Sequence, residues 1–180
     1  MYGISGLIYL PEYISPPHHD WLLTQIDEQV WDTGLNRRVQ HYGYRYDYKA
    51  RKVTPEMYLG SLPNWLNRIA RQLHDDGLIE EVPDQVIINE YQPGQGIATH
   101  VDCEPCFGHR IFSLSLGGTA IMEFSHPSQE MVELLLEARS LVMMYGEARY
   151  TWKHGIPARK SDKGIARTRC VSLTFRKVTF

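Results

Sequence analysis

The sequence predicts an α+β fold dominated by strands, with two N-terminal helices packed on a C-terminal antiparallel β core of sandwich or barrel type. Three observations predict it. Two stretches ahead of Pro83 space their apolar residues at helical intervals. After Pro83, short apolar segments follow one another, most of them separated by glycine, proline or polar turns, a spacing that favours a sandwich or barrel over a parallel βαβ sheet. The chain has 180 residues, 43% of them hydrophobic, which is enough to bury the core of one domain.

The elements follow in order. "SPPHHDWLLTQIDEQVWD" offers prolines and a polar cap, then Trp21, Leu22, Ile26 and Val30 near one helical face. "SLPNWLNRIARQLHDDG" repeats that logic with Trp65, Leu66, Ile69 and Leu73, and Gly77 ends it. The strand candidates are "QVIINEY", "RIFSLSLG", "TAIMEF", "MVELLLE", "SLVMMYG", "YTWKHGI" and "RCVSLTFRKVTF". No repeat, low-complexity tract or long polar linker divides the chain, so one domain over residues 1–180 is expected, its catalytic core within 81–180.

Composition excludes several classes. No apolar run approaches the ~18–20 residues of a membrane span, and the N-terminal "MYGISGLIYLPEYI" lacks the basic region and cleavage site of a signal peptide. A cytoplasmic, monomeric protein without membrane contact is the expectation. A net charge of −2 rules out a basic nucleic-acid coat, although Lys153, Arg159, Lys160, Lys163, Arg167, Arg169, Arg176 and Lys177 suggest a local basic surface. Cys103-x-x-Cys106 has no second pair to complete a structural zinc site, and with Cys170 it makes an odd count, so two ordinary thiols on a loop in a reducing compartment are expected.

"NEYQPGQGIATHVDCEP" holds the chemistry of interest. If the stretch is extended, His100 and Asp102 stand two residues apart and share a face. With His154, from "RYTWKHGIP", they compose the two-histidine, one-carboxylate facial set that leaves three positions open on non-haem Fe(II). A simple His–Asp hydrogen bond beside an unrelated core histidine is the competing reading. Arg176, in the apolar strand "SLTFRKV", needs a partner if buried, and its planar fork suits a carboxylate. A surface arginine on an edge is the alternative there.

"INEYQPGQGIATHVD", "SLSLGGTAIMEF", "RSLVMMYGEARYTWKHGI" and "SLTFRKV" together resemble the AlkB family of Fe(II)- and 2-oxoglutarate-dependent dioxygenases, over about Asp84 to Val178. "VQHYGYRYDY" extends the likeness toward the branch whose animal member hydroxylates a modified wobble uridine in tRNA. That animal protein also carries an RNA-recognition motif and a methyltransferase domain, for which this chain has no room. The resemblance implies a double-stranded β-helix (jelly-roll) core, preceded over residues 1–80 by helices and a nucleotide-recognition lid. It implies that His100, Asp102 and His154 hold Fe(II), and that Asn89, Tyr91, Ser172 and Arg176 contact 2-oxoglutarate. A further arginine is expected six residues before Arg176, where Cys170 stands; Arg169, re-aimed by a β-bulge, or Arg167 would replace it, or else that carboxylate contact is lost and co-substrate affinity falls. Tyr44, Arg45 and Tyr46 of the lid, with Arg149, Trp152 and Glu104, are the implied substrate contacts; a tyrosine-rich hairpin packed on the core competes with the lid reading.

Such an enzyme couples decarboxylation of 2-oxoglutarate by O2, to succinate and CO2, with oxidation of a C–H bond. On an N-methyl group the result is demethylation; on a side-chain methylene it is a stable alcohol. The expected partner is single-stranded DNA or RNA, tRNA included. The alternatives are the same chemistry on a protein or small molecule, or a catalytically silent jelly-roll binding protein.

Overall fold

Residues 3–180 are described by a computed structural model. Its first half contains β1 (Leu7–Leu10), α1 (Pro16–Asp27), β2 (Val39–Tyr42), α2 (Asn64–Asp75), β3 (Gln85–Tyr91) and β4 (Ile97–His100). β5 (Phe107–Gly117), β6 (Ala120–His126), β7 (Gln129–Leu136), β8 (Leu141–Met144) and α3 (Gly146–Tyr150) follow. The chain ends with β9 (Lys153–Ile156), the short ribbon β10 (Ser161–Asp162) and β11 (Ile165–Ala166), and β12 (Cys170–Val178). The strands form a six-stranded sheet, β1-β8-β5-β12-β3-β2, and a four-stranded sheet, β4-β9-β6-β7, all pairings antiparallel. This is the jelly-roll expected from the resemblance. Besides helices, the N-terminal residues supply strands, because β1 and β2 form both edges of the larger sheet.

Local chemistry explains both long helices. Ser15 caps α1 by accepting from the His18 N–H, and prolines occupy its first positions, where no intrahelical donor is needed. α2 also starts after a proline and stops before Gly77, whose φ of 73° is the left-handed turn that ends helices cheaply. Leu22 and Ile26 of α1 are fully buried, but Trp21 is exposed and Val30, beyond the helix end, is 92% exposed. The apolar spacing around Val30 therefore overstated the length of α1.

The larger sheet uses its two faces differently. Side chains alternate along a strand, and directly paired residues share a face. Val171, Leu173 and Phe175 of β12 lie with Val86 and Ile88 of β3 and with Phe112, Leu114 and Leu116 of β5 against Leu22, Ile26, Leu66, Ile69 and Leu73 of the helices. Each such side chain contributes roughly 1.5–3 kcal/mol when fully buried. The opposite face looks toward the four-stranded sheet. There Ser172 pairs with Asn89 and Ser115, and Cys170 with Tyr91. A polar inner face and an apolar outer face thus come from the same strands.

One charged cluster ties the outer face together. Buried Glu90 accepts from Arg38 at 2.7 and 2.9 Å and from Arg169 Nε at 2.6 Å, and Arg169 also reaches Asp27 of α1. Burial alone would raise the Glu90 carboxyl, but hydrogen bonds from the two arginines hold it below its ordinary value. Glu90→Gln should cost roughly 1.5–3 kcal/mol, less than a fully enclosed pair because both arginines reach solvent. The difference between wild type and variant should be complete above pH 4.5, the ordinary glutamate value. It should shrink as pH falls through the lower folded value. Urea denaturation across that range checks both statements, and a gap that widened in acid would refute them.

Candidate active site

The stretch from Asn89 to Asp102 crosses from one sheet to the other. β3 lies in the larger sheet and β4 in the smaller, so the loop from Gln92 to Gly96 does not reverse the chain into a hairpin. Gly94 takes a φ of 92° within it, where a side chain would be strained. β4 then pairs with β9 so that His100 stands directly opposite His154. Gly155 permits that approach, since a Cβ there would lie 2.8 Å from Ile97 O and from Thr99 N. Of the expected strand "YTWKHGI", only Lys153–Ile156 forms, as β9 with His154 and Gly155 inside it, while Tyr150 ends α3.

The two imidazoles lie with ring centroids 4.6 Å apart, and Asp102 joins them just beyond β4. One ligand atom from each of His100, Asp102 and His154 lies within 4.8 Å of the others. Asp102 Oδ2 accepts from Arg176 Nε at 3.0 Å, while Oδ1 faces His100 Nε2 at 3.3 Å and His154 Nε2 at 3.9 Å. Burial would raise the Asp102 carboxyl, but the Arg176 guanidinium holds it well below the usual range, so it is anionic. Burial pushes His154 down to about 4 against the opposing pull of Asp102, leaving a neutral imidazole at physiological pH. Its Nδ1 is buried without a hydrogen-bond partner. His100 Nδ1 donates to the Ala98 carbonyl at 2.8 Å, which orients the ring with Nε2 toward Asp102 Oδ1. The Nε2 atoms of His100 and His154 and one carboxylate oxygen thus converge on one point. A divalent cation resolves that arrangement, and two nitrogens with one oxygen suit Fe(II) while leaving positions open.

The support behind these ligands is also charged. Arg149 is buried and donates to the Asp102 and Cys103 carbonyls at 3.0 and 3.2 Å, pinning the backbone after β4. Arg176 lies over the Phe107 ring, 4.6 Å from its centroid. Cys103 and Cys106 are joined as a disulfide instead of standing as two thiols, because the turn between them brings their Cα atoms to 5.3 Å, within bridging distance.

A cavity of about 390 Å³ opens at the triad, lined by Arg37, Tyr46, Tyr48, Asn89, Phe107 and Arg176 together with residues 97–103 and Arg51. A narrower recess continues between the sheets past Tyr91, Ser113, Ser172 and His154. Asn89, Tyr91, Ser172 and Arg176 all face these spaces, as does Tyr46. Other expected contacts do not. Arg169 precedes β12 on the opposite face and is held by Glu90 and Asp27; Arg167 is held by Asp162 and the Pro157 carbonyl. Tyr44 packs on Tyr58 and Phe180 beside a different groove, and Arg45 pairs with Asp32. Trp152 is buried against His126, Arg149 is turned into the backbone, and Glu104 is exposed outside the cavity lining.

Arg37, Arg51 and Phe107 were not singled out by the sequence. "LNRR" gives Arg37 no pattern, and only the pairing of β2 with β3 sets it beside Asn89, whose Oδ1 accepts from Arg37 Nε at 2.8 Å. The basic surface also lies elsewhere than expected. Arg159, Lys163, Arg167, Arg169, Arg176 and Lys177 of the late cluster are all in ion pairs. Lys49, Arg51 and Lys52 are exposed on a turn at the cavity rim, where Asp47 Oδ1 accepts from the N–H groups of Lys49 and Ala50.

Comparison with known proteins decides the family. Residues 29–176 match the 2OG-Fe(II) oxygenase superfamily. This chain is a 2OG-Fe(II) oxygenase. Members of the superfamily use Fe(II), 2-oxoglutarate and O2, and the His100–Asp102–His154 group is a donor set able to hold the metal. The oxygenase is 41% identical over 165 residues to the tRNA (carboxymethyluridine(34)-5-O)-methyltransferase alkbh8 of Xenopus tropicalis, a match covering 87% of this chain and 26% of that protein. It is 36% identical over 204 residues to the alkylated DNA repair protein ALKBH8 homolog of Arabidopsis thaliana, covering 98% of this chain and 59% of the relative. The chain therefore spans about a quarter of the frog protein and somewhat over half of the plant one. The solved structure of OsALKBH1 shares the fold, with a TM-score of 0.71 at 18% identity, covering 98% of this chain and 99% of that one. Among the described residues, no helix is long and apolar enough to cross a membrane.

His100→Ala should abolish stoichiometric Fe(II) binding, measured by anaerobic calorimetry, and leave cooperative unfolding intact, because this ring is partly exposed and closes no core contact. Undiminished metal binding in the variant would remove His100 from the ligand set.

Proposed function

We propose that this oxygenase oxidises a modified nucleobase in single-stranded nucleic acid, with RNA and tRNA foremost. The observation that carries the reading is the cavity: three aromatic rings, Tyr46, Tyr48 and Phe107, share it with Arg37 and Arg51, and His100 and Asp102 of the metal-ligand triad line it too. Rings offer stacking faces to a base taken out of its strand, and cations at the mouth suit the flanking phosphates. The exposed Lys49, Arg51 and Lys52 extend that positive rim in a chain whose net charge is −2. The names of the relatives, which refer to a carboxymethyluridine at tRNA position 34 and to alkylated DNA, point to the same class of substrate.

In this reading His100, Asp102 and His154 hold Fe(II), which when bound supplies the oxidation of a C–H bond coupled to 2-oxoglutarate decarboxylation. Arg176 keeps Asp102 ionised and occupies one carboxylate oxygen, so that the other is directed at the metal position. Arg37 occupies Asn89 Oδ1, which leaves the Asn89 amide N–H groups free to donate to a carboxylate of the 2-oxo acid. Tyr91 and Ser172 line the recess into which the rest of that acid extends. Tyr48, with the Arg37 guanidinium 5.7 Å from its ring centroid, is positioned to stack on the base.

The test is a panel of methylated DNA and RNA oligomers with bulk tRNA, incubated with Fe(II), ascorbate and 2-oxoglutarate, with nucleosides read by mass spectrometry. Loss or hydroxylation of one modified nucleoside is expected. Tyr48→Ala should weaken nucleic-acid binding by about 1–3 kcal/mol, the worth of one stacked base. Turnover of 2-oxoglutarate that no nucleic acid stimulates would transfer the substrate to a protein or small molecule.

A further inference from the structure

The inner face of β12 presents one cation to the space between the sheets, and it stands at the metal end. Arg176 is committed to Asp102. Six residues earlier, roughly 20 Å along the strand at strand rise, the same face presents Cys170, where the resemblance leads one to expect an arginine. Cys170 is a buried free thiol, paired across the sheet with Tyr91 and Gly117. Burial pushes it up to about 11, so it carries no charge at physiological pH.

Neither neighbouring arginine takes its place. Arg167 is held by Asp162, through Nε at 2.5 Å and Nη2 at 2.9 Å, and by the Pro157 carbonyl. Its charge is therefore already matched by a buried carboxylate. Arg169 lies on the outer face. Next to the recess, and sharing Tyr91, Ile156 and Ser172 with it, lies a separate void of about 10 Å³ bordered by hydroxyl-bearing residues. Tyr91, Ser115 and Ser172 line it beside Cys170, and the remaining walls include Ala120 and Leu136. Ser115 Oγ is buried there without any hydrogen-bond partner, while Ser172 Oγ is 2.9 Å from Ser113 Oγ. An orphaned buried hydroxyl is a donor awaiting an acceptor.

2-Oxoglutarate has a carboxylate at each end. A 2-oxo acid whose metal-chelating end met Arg176 and Asn89 would extend its far carboxylate toward Cys170, where, among the described residues, the cation acting on the thiol is Arg167, already bound by Asp162. We propose that this oxygenase reads the far end of its 2-oxo acid through the Tyr91, Ser115 and Ser172 hydroxyls, and that Cys170 makes it weakly selective for a dicarboxylate. A 2-oxo acid of the same length with an uncharged tail then binds nearly as well. Neutral hydroxyls solvate a carboxylate less strongly than the charge-assisted fork of a guanidinium, and they accept an apolar tail at smaller loss. This inference concerns the co-substrate and is independent of which substrate is oxidised.

The test uses the Fe(II)-loaded protein without oxygen, titrated calorimetrically with 2-oxoglutarate and with 2-oxopentanoate, which lacks the far carboxylate. Dissociation constants within about tenfold of each other are expected, and a preference for 2-oxoglutarate beyond about tenfold overturns the proposal. Cys170→Arg should raise the preference for the diacid by about tenfold or more; an unchanged ratio in a folded, iron-binding variant refutes the role of Cys170. Because an arginine there can disrupt the core, Ser115→Ala provides a second arm. It should weaken 2-oxoglutarate several-fold and leave 2-oxopentanoate unmoved. An equal effect on both acids, or on neither, removes the hydroxyl from the subsite.

Discussion

The ion pair between Arg176 and Asp102 joins the two sheets at the point where the chemistry sits. Asp102 follows β4 of the smaller sheet, and Arg176 is on β12 in the middle of the larger one. Both are buried, so neither charge is tolerable without the other. The pair divides the carboxylate: one oxygen is spent on the guanidinium, the other is turned to the two histidines. Phe107 beneath the guanidinium and Arg149 behind the Asp102 backbone leave that division little freedom. A metal ligand needs this fixed direction, which a freely rotating carboxylate lacks.

Alternation along the strands does the remaining positioning. Val171, Leu173 and Phe175 of β12 anchor the helices, while Cys170, Ser172 and Arg176 face the site. β3 repeats the scheme, with Val86 and Ile88 outward and Asn89 and Tyr91 inward. Stability and function are thus written on opposite faces of the same segments. Glu90, between Asn89 and Tyr91, points out to Arg38 and Arg169, and so a charge sits one residue from each site group without entering the cavity.

Much of this was legible in the sequence because periodicity and motif spacing are local properties. The strands from "QVIINEY" to "RCVSLTFRKVTF" and the convergence of His100 with Asp102 follow from alternation, and the aromatic character of Tyr46 was visible at once. What escaped was set by pairing between distant segments. β1 and β2 are four-residue strands whose role as sheet edges depends on β8 and β3. Arg37 enters the cavity because β2 pairs with β3, and Phe107 because β5 begins beneath Arg176. The lid reading was only partly informative for the same reason. Tyr44 and Arg45 are neighbours of Tyr46 in sequence, yet one packs on Tyr58 and the other binds Asp32. The late basic residues misled because their partners, Asp162, Glu90, Asp102 and Asp84, cannot be assigned without the fold.

The place of β12 has a consequence for how the molecule comes together. It is the last strand in chain order and the central link of the larger sheet: β5 and β3 are joined only through it. Before residues 170–178 are available, that sheet can exist only as two fragments, β2 with β3 and β1 with β8 and β5, each presenting an unpaired edge. Such non-local closure is slow compared with hairpin formation. Arg176 arrives on the strand that closes the gap, so the clamp on Asp102 and the continuous sheet are completed by one event. A growing chain holds the residues able to bind a metal well before it holds the geometry that orients them.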